Sequence, residues 1–138
     1  MNILDYLGKP WVRFGRGPDS FDCWGLVRHY YAREFALELP LHIIAPERLA
    51  DVVKTMRSAL ESEWVQIDEL QDNCLVVMSS KRQPHHVGVC ISHREQLVLH
   101  CASKQNTCCQ SLDQIKRNMA ISKISFYLPR QWPISSSH

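Results

Sequence analysis

The sequence predicts an α+β fold, with N-terminal helices packed on an antiparallel β-sheet, on three observations. Apolar residues recur at helical spacing after Cys23 and again after Pro46. Beyond Trp64 the apolar runs become short, rich in valine and separated by turns. Helices first and a meander afterwards is the α+β order, not the alternation of a parallel sheet. A length of 138 residues suits one hydrophobic core, so residues 1–138 form a single domain with a frayed tail from about residue 133.

Taken in order, Asn2 to Leu7 is a short helical lead-in closed by Gly8-Lys9-Pro10. Trp11 to Ser20 is a loop broken by Gly15, Gly17 and Pro18, and its place directly before a helix makes it a candidate wall of a binding site. That helix starts at Cys23 behind a capping Asp22 and runs through Leu26, Val27, Tyr30, Tyr31 and Phe35. It ends before Leu39-Pro40, because the residue before a proline avoids the helical region. Pro46 suits the first turn of the next helix, whose apolar stripe is Leu49, Val52, Val53, Met56 and Leu60, with Glu47, Arg48, Asp51, Lys54 and Arg57 as its solvated face. Three strands follow, Cys74 to Met78, His86 to Ile91 and Gln96 to Cys101, the last two joined by a hairpin at Ser92 to Glu95. A helix from Leu112 to Met119 precedes a fourth strand, Ile121 to Leu128.

Composition removes several function classes. With 45% hydrophobic and 22% charged residues the chain is not disordered, and a net charge of +2 without a basic run among aromatics gives no reason for a nucleic-acid partner. No stretch approaches the roughly 18 to 20 apolar residues of a membrane span. The start lacks a basic region followed by an apolar core, so cytoplasmic synthesis without a signal peptide is expected. The six cysteines, Cys23, Cys74, Cys90, Cys101, Cys108 and Cys109, are then read as reduced thiols. Zinc is the competing reading for Cys101, Cys108 and Cys109 near His85, His86, His93 and His100. No C-x-x-C pair exists, and adjacent Cys108 and Cys109 suit one tetrahedral ion poorly, so neither metal nor other cofactor is expected.

A thiol in the first turn of a helix meets unpaired N–H groups and the positive end of the helix dipole, both of which favour the nucleophilic thiolate. Alone, Cys23 is better read as a buried filler of the helix's inner face. A nucleophile also needs a base, and that base an orienting group. His86 begins one strand and His100 lies near the end of the next, so the hairpin makes them cross-strand neighbours, provided that the register does not slip by one residue. His85 should point to the opposite face, His93 belongs to the turn, His29 projects away from the catalytic side, and His42 is read as a surface or edge residue.

These three positions resemble the NlpC/P60 cysteine peptidases, a papain-like group, in Asp22-Cys23-Trp24-Gly25-Leu26-Val27, His86-Val87-Gly88-Val89 and Leu99-His100-Cys101-Ala102-Ser103. The resemblance implies a papain-like fold with Cys23 as nucleophile, His86 as general base and acid, and His100 as the orienting third member. Trp11, Asp22 and Trp24 would then meet the substrate, Asp22 through a substrate amine. The run Gly15 to Gly25 looks most like the phage-tail branch, with Trp24 where many cell-wall members carry serine. This implies peptidoglycan stem peptides as substrate, phage tail proteins as partners, and delivery to the cell wall on a virion or tail-like particle. Trp11 stands where the family commonly has a tyrosine, and Phe14-Gly15 where it has paired glycines, so that Phe14 would narrow the groove. Two alternatives stay open: a structural tail component with weak or no catalysis, and a thiol acyltransferase or amidase using the same triad.

Overall fold

The computed structural model describes residues 1–42, 47–81 and 83–132. Its described elements begin with a 3-10 turn at Ile3–Asp5, then α1 (Cys23–Phe35), α2 (Leu49–Glu63), β1 (Trp64–Ile67), β2 (Leu75–Ser80), β3 (Gln83–His93), β4 (Glu95–His100), β5 (Cys108–Gln110), α3 (Leu112–Met119) and β6 (Lys123–Pro129). The strands form one antiparallel sheet in the order β1-β6-β2-β3-β4-β5. The α+β class and the helices-first order match the sequence expectation.

The two faces of the sheet bury different halves of the chain. On one, Leu75, Val77, Val87, Val89, Ile91 and Leu99 meet Leu26, Val27, Tyr30 and Tyr31 of α1. On the other, Cys74, Val76, Met78, Cys90 and Val98 meet Ile115 of α3. Alternation along β2, β3 and β4 accounts for this, since apolar residues of both parities must be covered. α1 ends at Ala36 in the left-handed region, and α3 opens on a reciprocal capping box between Ser111 and Gln114.

Several sequence expectations need correction. The short strands β1 and β5 went unread: Trp64 to Ile67 follows α2 directly, and three residues holding two cysteines carry little strand signal. The stripe on α2 only partly enters the core, because Leu49 is 52% exposed while Val52, Met56 and Leu60 line a cleft. Helix α2 begins at Leu49, and the expected opening at Pro46 lies outside the described residues, as does the tail from residue 133. In the hairpin His93 pairs with Glu95, which puts His100 opposite Gly88 and not opposite His86. The shift is two residues, so the two histidines keep a common face. Among the described residues no helix is long and apolar enough to cross a membrane.

Candidate active site

Backbone contacts fix the cysteine. Asp22 is extended and caps α1, its carboxylate accepting the Gly25 N–H at 2.6 Å. Cys23 therefore occupies the first helical position, where N–H groups lack partners within the helix. The Asp22 N–H donates to the Gly15 carbonyl at 2.9 Å, and a Cβ on Gly25 would collide with that same oxygen. Loop and helix can meet this closely only over a glycine. Phe21, one residue earlier, is held by its N–H to Pro10 at 3.1 Å and by its carbonyl, which accepts the Val12 N–H at 2.9 Å.

Side-chain contacts fix the histidines. His86 Nε2 lies 2.9 Å from His100 Nδ1, the two rings edge to face. His100 Nε2 in turn lies 2.8 Å from Gln110 Oε1, with Cys108 Sγ at 3.7 Å. Both histidines are buried, His86 to 6% and His100 to 1% exposure. Pairing His86 with Met78 but Pro84 with Ser79 leaves His85 as the extra residue of a β-bulge. A bulge breaks simple alternation, which is why His85 joins the cleft although a regular strand would turn it away.

A cleft of about 800 Å³ brings Cys23 and His86 together, with Trp11, Asp22 and Trp24 also on its wall. His100 stands behind His86 and does not line it. His42, expected at the surface, lines it too, packed against the Trp24 ring with centroids 5.4 Å apart. His29 sits away from the cleft against Tyr6 and Phe21. Among the described residues no hydrogen bond joins the Cys23 sulfur to His86. The Val87 N–H, on the residue after His86, favours the thiolate of Cys23. Nor does any group of three His, Cys, Asp or Glu among the described residues form a metal site.

The model of the NlpC/P60 family matches residues 8–120, most of the chain and every residue of this cleft's catalytic candidates. The chain belongs to the NlpC/P60 family. No curated protein sequence matches it significantly. Among solved structures it is similar to the NlpC/p60 domain of the peptidoglycan hydrolase SagA, at 16% identity and a TM-score of 0.57, over 91% of this chain and 90% of that one. At that identity the likeness concerns the fold.

Within this NlpC/P60 domain the resting charges differ from the sequence expectation. Burial, helped by the adjacent Asp22 charge, pushes the Cys23 thiol up to about 12, outweighing the Val87 and Trp24 N–H groups that favour thiolate. Burial first, then His100 and His85, holds His86 down to about 3. Cys23 and His86 therefore rest as a neutral pair, not as thiolate and imidazolium. Phe14 also departs from expectation: it does not line the cleft, and its φ of +62° lies in the left-handed region that glycine occupies without penalty. Trp11 does line the cleft, and its indole N–H can donate but cannot accept as a tyrosine hydroxyl would. Gln110 is the site residue that sequence reading missed, because its only signal was a position two residues past Cys108 on an unread strand.

Proposed function

We propose that this NlpC/P60 domain is a cysteine endopeptidase that hydrolyses amide bonds in the stem peptides of bacterial peptidoglycan, through a triad of Cys23, His86 and His100. The observation that carries the reading is a helix-start cysteine sharing one cleft with a histidine whose Nε2 is held by a second histidine. Nε2 of His86 is committed to His100, which leaves Nδ1 to serve the thiol. As the Cys23 sulfur attacks the carbonyl carbon, Nδ1 takes the thiol proton and negative charge gathers on the carbonyl oxygen. The Cys23 N–H, without an acceptor among the described residues, is the donor for that oxygen, and such donors are typically worth about 10² to 10³ in rate. His86 then protonates the leaving amine as the carbon–nitrogen bond breaks, and the thioester is hydrolysed by a water that His86 deprotonates. Asp22, on the cleft wall with Trp11 and Trp24, is suited to meet a substrate amine.

The substrate class follows from the family and from the likeness to SagA, itself named a peptidoglycan hydrolase. Action at the cell wall follows from that substrate. Association with a phage tail, with tail proteins as partners, rests on the Gly15 to Gly25 resemblance alone. Mass spectrometry of purified tail-like particles should find the chain in them, and its absence would remove this part.

Digestion of purified peptidoglycan by wild type beside Cys23→Ala tests the reading, with released fragments identified by mass. New stem-peptide termini with wild type only are expected, with at least a thousandfold loss in the variant, roughly the scale of removing a nucleophile. No release by wild type would favour the weakly catalytic structural role, for which the raised Cys23 thiol and the indole at Trp11 already speak. Transfer to an added amine in preference to water would favour the acyltransferase.

A further inference from the structure

We propose that Gln110 is a positioning residue of this site: its side-chain carbonyl fixes the tautomers of His100 and His86 in series and so leaves a lone pair on His86 Nδ1 for the Cys23 thiol. The inference rests on the triad reading above and deepens it.

The argument is one of donors and acceptors. Gln110 Oε1 is an acceptor only, and it lies 2.8 Å from His100 Nε2, so that nitrogen carries hydrogen. A neutral imidazole has one N–H, so His100 Nδ1 is then an acceptor. His86 Nε2, at 2.9 Å from it, must be the donor. The same rule applied once more leaves His86 Nδ1 without hydrogen, which is the form a general base needs. Reversing one end reverses the whole series: a donor at position 110 would leave hydrogen on His86 Nδ1 and no base for the thiol.

Strand geometry makes Gln110 available. In β4 and β5 His100 pairs with Cys108 and Val98 with Gln110, so Gln110 reaches His100 diagonally on the same face. The Cys108 sulfur, at 3.7 Å from the same nitrogen, is a weaker acceptor and a longer contact. Burial of both histidines removes the water that could otherwise exchange their tautomers.

Nitrogen-15 NMR of the histidine rings reads this without any substrate. In wild type the His86 ring should carry hydrogen on Nε2 and none on Nδ1, and hydrogen on Nδ1 would overturn the proposal whether or not the protein digests peptidoglycan. Gln110→Glu keeps an acceptor and should keep that tautomer, while Gln110→Leu should give a mixture. Alkylation of Cys23 by iodoacetamide, followed by peptide mass, should fall about 10 to 100-fold in Gln110→Leu and stay within a few-fold of wild type in Gln110→Glu. Unchanged tautomer and alkylation in Gln110→Leu would overturn the proposal. So would a shift of tautomer in Cys108→Ala, which would give the role to the thiol. If Gln110→Leu does not fold, the wild-type and Gln110→Glu spectra still decide. Loss of the peptidase reading would appear separately, as peptidoglycan digestion that survives Cys23→Ala.

Discussion

At the cysteine side of the cleft, positions are set by backbone groups of residues close in sequence, from Pro10 to Gly25. At the histidine side they are set by side chains from three strands, His86, His100 and Gln110, that meet only once the sheet has formed. The first kind of site tolerates changes of side chain but not of backbone space. The second depends on register and on which atom carries each proton. One active site thus has two ways to fail, one through backbone space and one through register and proton placement.

The largest effect should come from crowding the cysteine side. Gly25→Ala would drive a Cβ into the Gly15 carbonyl, a backbone atom that cannot swing aside as a side-chain tip could. Overpacking of this kind costs about 1 to 3 kcal/mol, and here it also displaces the Asp22 cap. We expect a fall of about 3 kcal/mol in urea unfolding, with loss of peptidoglycan digestion. The His86 and His100 tautomers in whatever remains folded should be those of wild type. A variant of wild-type stability would mean that the loop is free to move and that backbone does not hold Cys23.

The same difference decides what was legible in the sequence. The cysteine side is local, so Asp22 as a cap, Cys23 at a helix start and Gly25 behind it could be read from a few consecutive residues. The histidine side is not local. Its common face could be read, because parity survives a two-residue shift, but the partner of His100 proved to be Gly88. Gln110 could not be read at all, since nothing in three residues of β5 announces a pairing with β4. His85 was misplaced for a related reason, a bulge that no composition signals. Charge was the least legible property. The helix terminus argued for a thiolate, whereas burial and Asp22 raise the Cys23 thiol, and burial depends on the whole fold.

Acid should break the histidine side first. An unfolded histidine takes up a proton near pH 6.5, whereas His86 in the fold resists until about pH 3, with His100 lowered as well. Between those values the unfolded chain binds more protons, so stability falls as pH falls through this window and is fully present above it. From pH 7 to pH 5 the contribution of His86 alone amounts to about 2 kcal/mol. Urea midpoints at the two pH values should show this loss, and His86→Asn should reduce it, leaving the share of His29, His85 and His100, which burial lowers too. Amide exchange at pH 5 should rise along β4 and β5 before it rises at the start of α1. An equal rise at both would mean that the two sides unfold as one unit.

The smallest effect tests whether the cysteine loop carries strain. Phe14 holds a φ of +62°, a region that side chains other than glycine, asparagine and aspartate rarely occupy, and its ring stacks with the Arg13 guanidinium, 5.0 Å from the ring centroid. Phe14→Gly removes that backbone penalty and loses one exposed stacking contact. The added freedom of glycine in the unfolded chain offsets part of the gain. The net should be a stabilisation of about 0.5 to 1 kcal/mol, seen as a rise of a few degrees in thermal midpoint. Because Phe14 stands off the cleft wall, peptidoglycan digestion should stay within about twofold of wild type. A loss of stability instead would show that the Arg13 and Phe14 stack, not backbone geometry, keeps this turn in place.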